Sequence, residues 1–250
     1  MQISKNFCTI NQIKKLELED LGIGIELQCF PQHKLDESLD SDIEIVSKKL
    51  KNFNGHISLH GASFDLNPGS TDSRILEVTK YRYEQAIEIA YKLGARHVVF
   101  HSQINPLVLD YINKKKMDLQ IKFWMDMIPL LSSKDITVVL ENEYDETFHD
   151  ILYIVNSVNS KYLKACLDIG HALAYSKCSI EDWIKNLDKN LEYIHLHWND
   201  GHSDEHNPPS DYDLIYLRFI LDKYKLNPII ALEYSVDNLH KEIYRLRKFL

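Results

Sequence analysis

ITVVLE, residues 136–141, is the stretch that decides the fold class of this chain. Residues that are apolar or favour β-structure run without interruption into Glu141. Such a run is typical of a strand in a parallel sheet that is covered on both faces. The carboxylate at its end indicates that this strand leads into a polar site.

Seven further strands are predicted around this one, and helical patterns alternate with them. The predicted strands are 2–8, 23–29, 56–60, 97–101, 136–141, 165–168, 191–197 and 229–233. Helical patterns cover residues 13–21, 39–51, 72–93, 121–131, 148–158 and 214–224, and a basic helix closes the chain. We expect Ser70 or Thr71 to cap the helix at 72–93 and Gly94 to end it. The alternation predicts an α/β protein, a single (β/α)8 TIM barrel that forms one domain over residues 1–250.

Composition narrows the functional classes. The formal net charge of −8 argues against a broad nucleic-acid interface, because neutralising phosphates requires clustered Lys and Arg. The four cysteines lack Cys-x-x-Cys spacing and no apolar signal segment opens the chain, so we expect reduced thiols in a cytoplasmic protein. No stretch approaches the roughly 18 apolar residues of a membrane span, so no membrane partner is expected.

Side chains that bind metal ions fall at the carboxyl ends of six consecutive predicted strands. In a parallel barrel those ends converge on one rim, where active sites of this fold are built. Burying an isolated charge is very costly, so a carboxylate that ends an apolar strand must be paired, protonated or metal-bound. The set predicts a divalent metal site, and its members are His60, His101, Glu141, Asp168, His197 and Glu233.

The stretch 195–206 adds further candidates. Its strand puts His195 and His197 on one face, and His195 lies one layer deeper, so we expect a supporting or packing role for His195. Asp204 and His206 follow in a loop, where flexible backbone brings a carboxylate and an imidazole to one ion. Together with His171, three residues beyond Asp168, they extend the candidate set to nine residues.

These residues resemble the xylose isomerase-like TIM barrel superfamily, which includes the AP endonuclease family 2 proteins, xylose isomerase and the ketohexose epimerases. The resemblance covers nearly the whole chain. The motifs that carry it are Leu59-His60 with the loop 65–70, Phe100-His101, residues 140–142 (LEN), residues 167–171 (LDIGH), His197-x-Asn199-Asp200-Gly201, Asp204-x-His206 and Leu232-Glu233.

Endonuclease IV-like members of this superfamily hold three zinc ions, and all nine of their ligand positions match this chain. The resemblance implies that His60 and His101 bind one ion, with Glu141 as a bridge to the second. It implies that Asp168, His197 and Glu233 hold the second ion, and that His171, Asp204 and His206 take a third. Such a cluster activates water and stabilises a phosphodiester transition state.

Isomerase and epimerase members use a smaller set around one manganese, cobalt, magnesium or zinc ion. Glu141, Asp168, His197 and Glu233 match that set. The resemblance implies that the ion polarises a sugar carbonyl while Glu141 and Glu233 exchange a proton at the adjacent carbon. It also implies that His60 and His171 bind hydroxyls or assist proton movement. The candidate catalytic residues are thus Glu141, Glu233 and His171, and the candidate substrate-binding residues are Glu26, His60, Phe64 and His101.

Three functions follow from these patterns. The acidic net charge, and the resemblance of the loop 65–70 to isomerase and epimerase members, favour a metal-dependent isomerase or epimerase of a sugar or sugar phosphate. The complete nine-residue set supports the alternative, a zinc-dependent endonuclease at abasic sites in DNA, although the rim loops carry no Arg-rich segment. A non-catalytic metal-binding or sugar-binding barrel leaves the paired glutamates without a task. Between one and three ions are expected; the number of ions, the sugar and the oligomeric state stay open.

Overall fold

The computed structural model describes all 250 residues and contains eight parallel strands that close into a barrel. Neighbours in the chain are neighbours in the barrel, and the last strand pairs with the first. The predicted (β/α)8 TIM barrel is confirmed. The strands are β1 (Ile3–Phe7), β2 (Gly24–Leu27), β3 (Ile57–His60), β4 (His97–His101), β5 (Thr137–Glu141), β6 (Leu163–Asp168), β7 (Leu191–Leu196) and β8 (Ile229–Leu232).

Nine α-helices connect and cover the strands. They are α1 (Lys15–Leu21), α2 (Leu39–Lys49), α3 (Ser73–Leu93), α4 (Asp110–Lys134), α5 (His149–Val158), α6 (Ile169–Tyr175), α7 (Ile180–Leu187), α8 (Asp211–Tyr224) and α9 (Leu239–Phe249). The connection between β6 and β7 contains two helices, α6 and α7, which the sequence pattern did not predict. None of the helices has the length and apolar character needed to cross a membrane.

The start of α3 differs from the prediction. Asp72, rather than Ser70 or Thr71, is the cap, because its carboxylate accepts hydrogen bonds from the backbone N–H groups of Arg74 (2.8 Å) and Ile75 (3.4 Å). Ser70 supports the cap by accepting the N–H of Asp72 at 3.1 Å. Gly94 ends α3 in the left-handed conformation at φ 73°, as predicted.

Alternation along the strands separates two apolar cores. The larger core lies between the strands and the helices and includes the fully buried Trp124 of α4. A small separate core fills the barrel interior and consists of Val99, Val139, Cys166, Tyr193 and Ala231.

The same alternation positions the candidate site. Strand side chains switch faces with period two, so the residue two positions beyond an interior residue also points inward, one layer nearer the carboxyl rim. The residues that follow this rule are His101, Glu141, Asp168, His195 and Glu233. The barrel therefore replaces its top apolar layer with a layer of ionisable groups.

Candidate metal centre

Glu141, the last residue of β5, lies at the centre of the ionisable layer and is 1% exposed. Its Oε1 lies 2.9 Å from His195 Nδ1, and its Oε2 lies 3.2 Å from His60 Nε2 and 3.5 Å from His101 Nε2. His171 Nδ1 lies 3.6 Å from Oε1. Side chains from four other elements, β3, β4, α6 and β7, thus converge at this one carboxylate.

Several groups of these side chains have the geometry of a metal site. Glu141, Asp168, His195 and Glu233 each present one candidate ligand atom, and these atoms all lie within 4.8 Å of one another. The same holds for four further groups: His60 with His101 and Glu141, His60 with His195 and Glu233, Asp168 with His171 and His197, and His197 with His206 and Glu233. The structure therefore brings together eight of the nine candidate ligands in overlapping groups.

The ninth candidate, Asp204, joins them from the loop after β7. Its Oδ2 lies 3.3 Å from His171 Nε2 and 3.1 Å from His206 Nε2, and its Oδ1 lies 3.5 Å from His197 Nδ1. The ring of His206 stacks on that of His197 with centroids 4.0 Å apart. The loop thus returns to the rim, as its Asp-x-His pair predicted.

Three of the histidines share one orientation. The Nδ1–H groups of His60, His171 and His206 donate to backbone carbonyl oxygens, of Gly61 (3.0 Å), Asn142 (2.8 Å) and Glu233 (2.7 Å) respectively. This fixes the proton on Nδ1, so in the neutral ring Nε2 carries a lone pair. In all three, that Nε2 faces a carboxylate oxygen, which is also an acceptor. A cation, either a proton or a metal ion, is needed between them.

Two buried polar atoms of the centre lack a hydrogen-bond partner, His197 Nδ1 and Asp204 Oδ1, which face each other at 3.5 Å. His197 is held from its other side, since Nε2 lies 2.9 Å from the carboxylate of Asp168. Buried polar atoms without partners are rare and require an explanation such as a bound ion or water. The donor set of imidazoles and carboxylates fits a divalent transition metal.

The carboxylates raise the pKa of the histidines that they face. Burial alone would lower the pKa of His60 and of His171, but the surrounding carboxylates, chiefly Glu141 for His60 and Asp168 for His171, together outweigh it and raise these values to about 9 and about 11. The hydrogen bond with Asp204 raises the pKa of His206 to about 9. The centre therefore attracts positive charge.

The pKa values of the two glutamates, Glu141 and Glu233, are shifted in opposite directions. Burial would raise the pKa of Glu141, but the positive charges of His195 and His101 keep it well below its usual range. Burial raises the pKa of Glu233, and the attraction of His195 does not offset it. Two carboxyl groups with divergent proton affinities are the pairing that acid–base chemistry uses.

Local sequence after β6 explains the position of His197. Asp168 ends the strand and caps α6, accepting the N–H of His171 at 2.7 Å. A Cβ on Gly170 would lie 1.9 Å from His197 Cε1, so only glycine leaves room for that ring. Asn142 holds Asp168 by a reciprocal pair of hydrogen bonds with its backbone, at 2.8 and 2.9 Å.

The predicted substrate-binding residues occupy different environments. Glu26 is fully buried, and its carboxylate accepts from Asn6 Nδ2 (2.7 Å) and contacts His195 Nε2 (3.2 Å). Its pKa is lowered to about 2, because the attraction of His195 and other nearby groups together exceeds the effect of burial. Phe64, in contrast, is 75% exposed.

Two cavities open at the rim. One of about 730 Å³ is lined by His60 and Phe64, and one of about 530 Å³ is lined by Glu233 and His206. Cys8 and Gln28 line both cavities, which joins them into a cleft across the mouth of the barrel.

Two residues of the site were missed from the sequence. Asn6 is buried in β1 and donates from Nδ2 to Glu26 Oε1 (2.7 Å) and Glu233 Oε1 (2.9 Å). Glu143 lies on the loop after β5, with Oε2 3.2 Å from His101 Nδ1. The only local sign of Asn6 in the sequence is the polar pair Lys5-Asn6, which interrupts the apolar pattern of the first strand. No local pattern marks Glu143.

Comparisons with solved structures agree with this architecture. A D-tagatose 3-epimerase-like protein superposes with a TM-score of 0.78 at 21% identity, covering 100% of this chain and 97% of that one. A Thermus thermophilus protein, TTHB071, soaked with ZnCl2, gives 0.79 at 21% identity and covers 99% and 97%. D-psicose 3-epimerase with D-tagatose from Clostridium cellulolyticum H10 gives 0.71 at 16% identity and covers 100% and 91%. These identities are low, so the likeness concerns the fold.

Comparison of sequences identifies relatives of this chain and its family. The uncharacterized protein MJ1614 of Methanocaldococcus jannaschii is 28% identical over 241 residues, which are 93% of this chain and 90% of that protein. The uncharacterized protein MJ1311 of the same organism is 25% identical over 207 residues, which are 80% and 69%. The family described as xylose isomerase-like TIM barrel matches residues 17–250, and these residues include all nine candidate ligands on the rim. The chain therefore belongs to the xylose isomerase-like TIM barrel family.

Proposed function

We propose that this protein is a divalent-metal-dependent epimerase or isomerase of a small, unphosphorylated sugar. The observation that carries the proposal is the pair Glu141 and Glu233 in one four-residue group, with opposite shifts in pKa. One ionised carboxyl group can remove a proton from carbon, and a second carboxyl group that holds a proton can return one. The solved structures of a D-tagatose 3-epimerase-like protein and of D-psicose 3-epimerase support sugars as the substrate class.

The residues fit a metal ion. Glu141, Asp168 and Glu233, which belong to one group of close ligand atoms, would hold it together with His197, which shares one group with Asp168 and another with Glu233. The partnerless His197 Nδ1 supports this assignment. A bound divalent ion would polarise the carbonyl and hydroxyl of a sugar and acidify the adjacent C–H bond. His195, buried in the same layer and in contact with Glu141 and Glu26, would keep these carboxylates in place.

Five further residues surround this group and would bind substrate hydroxyls or further ions. They are His60, His101, His171, Asp204 and His206. Phe64 would contact the substrate from the open side of the cleft. Glu26, whose carboxylate is enclosed by protein groups, would act through Asn6 and His195 rather than touch the substrate.

The charges of the cleft favour a neutral substrate. Arg82 is bound by Asp36 through two nitrogens, and Lys14 lies 3.9 Å from Glu17. Lys5 donates to two backbone carbonyl oxygens. Every lysine and arginine that lines the two cavities thus has a partner, so a substrate phosphate would find no unpaired lysine or arginine there.

The test uses exchange of carbon-bound protons. Protein loaded with a divalent metal is incubated in D2O with D-tagatose, D-fructose and D-allulose, and proton NMR follows loss of the C–H signal next to the carbonyl. We expect E141Q and E233Q each to lower the exchange rate at least about 100-fold, since each removes one proton-transferring group. The control is E192Q. Glu192 lies at the start of β7, at the end of the barrel opposite the rim, so this variant should catalyse exchange at the wild-type rate. Full activity in E141Q or E233Q would refute the mechanism.

A second function, phosphodiester hydrolysis at abasic sites in DNA, is supported by one specific observation. His171 and His206 converge on a single oxygen of Asp204, which suits an ion additional to the one near Glu141. Incision of abasic duplex DNA by the zinc-loaded protein, without sugar exchange, would favour this function. Sugar binding without either activity would favour a non-catalytic barrel.

A further inference from the structure

His101 differs from three other histidines of the centre in what faces its Nδ1. His60, His171 and His206 each place Nδ1 against a backbone carbonyl oxygen. His101 Nδ1 instead lies 3.2 Å from Glu143 Oε2, while its Nε2 lies 3.5 Å from Glu141 Oε2. The nearby carbonyl oxygen of Ser102 is already engaged, because it accepts Gln120 Nε2 at 2.8 Å.

Glu143 is itself held in place by a buried contact between two loops. Asp145 Oδ2 accepts the backbone N–H of Glu143 at 3.0 Å and the hydroxyl of Ser102 at 2.7 Å. Ser102 follows His101 directly, so the loop after β4 and the loop after β5 are tied at one carboxylate oxygen. Asp145 is 2% exposed, which protects this tie from water.

We propose that Glu143 is a positioning residue that sets the proton of His101 on Nδ1 and turns its Nε2 toward Glu141. Whether His101 meets a metal ion or a substrate hydroxyl, Nε2 is then the atom that does so. A carboxylate behind an imidazole fixes its tautomer and increases its basicity more than a carbonyl does. The Glu143 carboxylate is therefore a stronger hydrogen-bond acceptor behind the His101 ring than the carbonyl oxygens behind the other three rings. The inference uses the site of the proposed function but its main test does not require that function.

The test is histidine ring NMR on the full-length, 15N-histidine-labelled protein without metal, with H101Q used to identify the signals of His101. We expect a proton on Nδ1 of His101 in wild type. E143Q should retain it, because the amide oxygen still accepts; E143A should lose this preference and shift the ring signals. E146Q is the matched control: Glu146 lies on the same loop, pairs with Lys177 and should leave the spectrum unchanged.

Zinc titration against a competing chelator measures the consequence. We expect E143A to bind zinc about 10-fold more weakly than wild type, with E143Q between the two. Wild-type signals for His101 in E143A, or an unprotonated Nδ1 in wild type, would overturn the inference while leaving the proposed function intact. A wild-type protein that takes up no metal would refute the proposed function, and the ring spectra would still decide the role of Glu143.

Discussion

Asn6 connects two carboxylates that would otherwise repel each other. Its Nδ2 donates to both Glu26 and Glu233, at 2.7 and 2.9 Å, from a position on β1 that is 5% exposed. Hydrogen bonds from a neutral amide to a carboxylate are stronger than those between neutral groups. Asn6 thus sets where the Glu233 carboxylate lies, although it carries no charge.

Replacing Asn6 by Ala should therefore impair both activity and stability. Each lost bond to a charged group is worth about 1.5–3 kcal/mol, so we expect a fall in exchange rate of about 10-fold or more and a clearly lower free energy of unfolding. Proton NMR and urea denaturation measure the two effects. N186A, which removes an exposed amide contact on α7, is the control. Unchanged exchange in N6A would show that Glu233 is positioned by other groups.

At the scale of elements, the sequence predicts the strands and the ligand-type residues at the rim. It does not predict the residues that hold those ligands in place. Most strands are apolar runs whose ends are marked by a ligand-type residue such as Glu141 or Asp168, and period two fixes which side faces inward. Asn6 and Glu143 act through contacts across the barrel or between loops, which no local pattern encodes. The helix α7 did have a local signal, the capping box Ser179 and Asp182, while α6 is short and contains Gly170.

The helix α6 supplies the next prediction, G170A. In an ordinary helix this change stabilises by about 1 kcal/mol, but here the new Cβ would overlap the His197 ring. We expect the opposite sign, a loss of about 1–3 kcal/mol in the free energy of unfolding together with weaker zinc binding. The matched control on α6 is A174G, which should lose helix stability but retain zinc affinity. Stabilisation in G170A with normal zinc binding would contradict the packing described here.

At the scale of the whole molecule, the buried Asp145 links stability to pH. Burial raises its pKa from 3.8 to about 7, although the Ser102 hydroxyl opposes this. Between about pH 4 and pH 7 the unfolded chain has lost this proton and the folded chain keeps it, so this group favours unfolding increasingly as pH rises. Each pH unit in that window is worth about 1 kcal/mol.

The variant D145N should remove that contribution while keeping an acceptor for Ser102 and Glu143. The free energy of unfolding of D145N minus that of wild type should increase from pH 5 to pH 8, as measured by urea denaturation at both values. An identical pH dependence in the two proteins would mean that Asp145 is ionised throughout this range.

The ionisable layer at the top of the barrel is the feature on which the proposed function depends. Its histidines face carboxylates, His197 Nδ1 lacks a partner, and Glu141 and Glu233 hold protons with opposite strength. These properties belong together if the layer binds a divalent ion. A purely structural role for these residues would not explain all of these properties together.

The metal content of the purified wild-type protein, measured by inductively coupled plasma mass spectrometry after exposure to zinc or manganese, tests this most directly. We predict about one tightly held divalent ion per chain, lost when D168N and H197Q are combined. Three zinc ions per chain would contradict the sugar site in favour of phosphodiester chemistry. A chain that takes up no ion at all would contradict the metal centre itself.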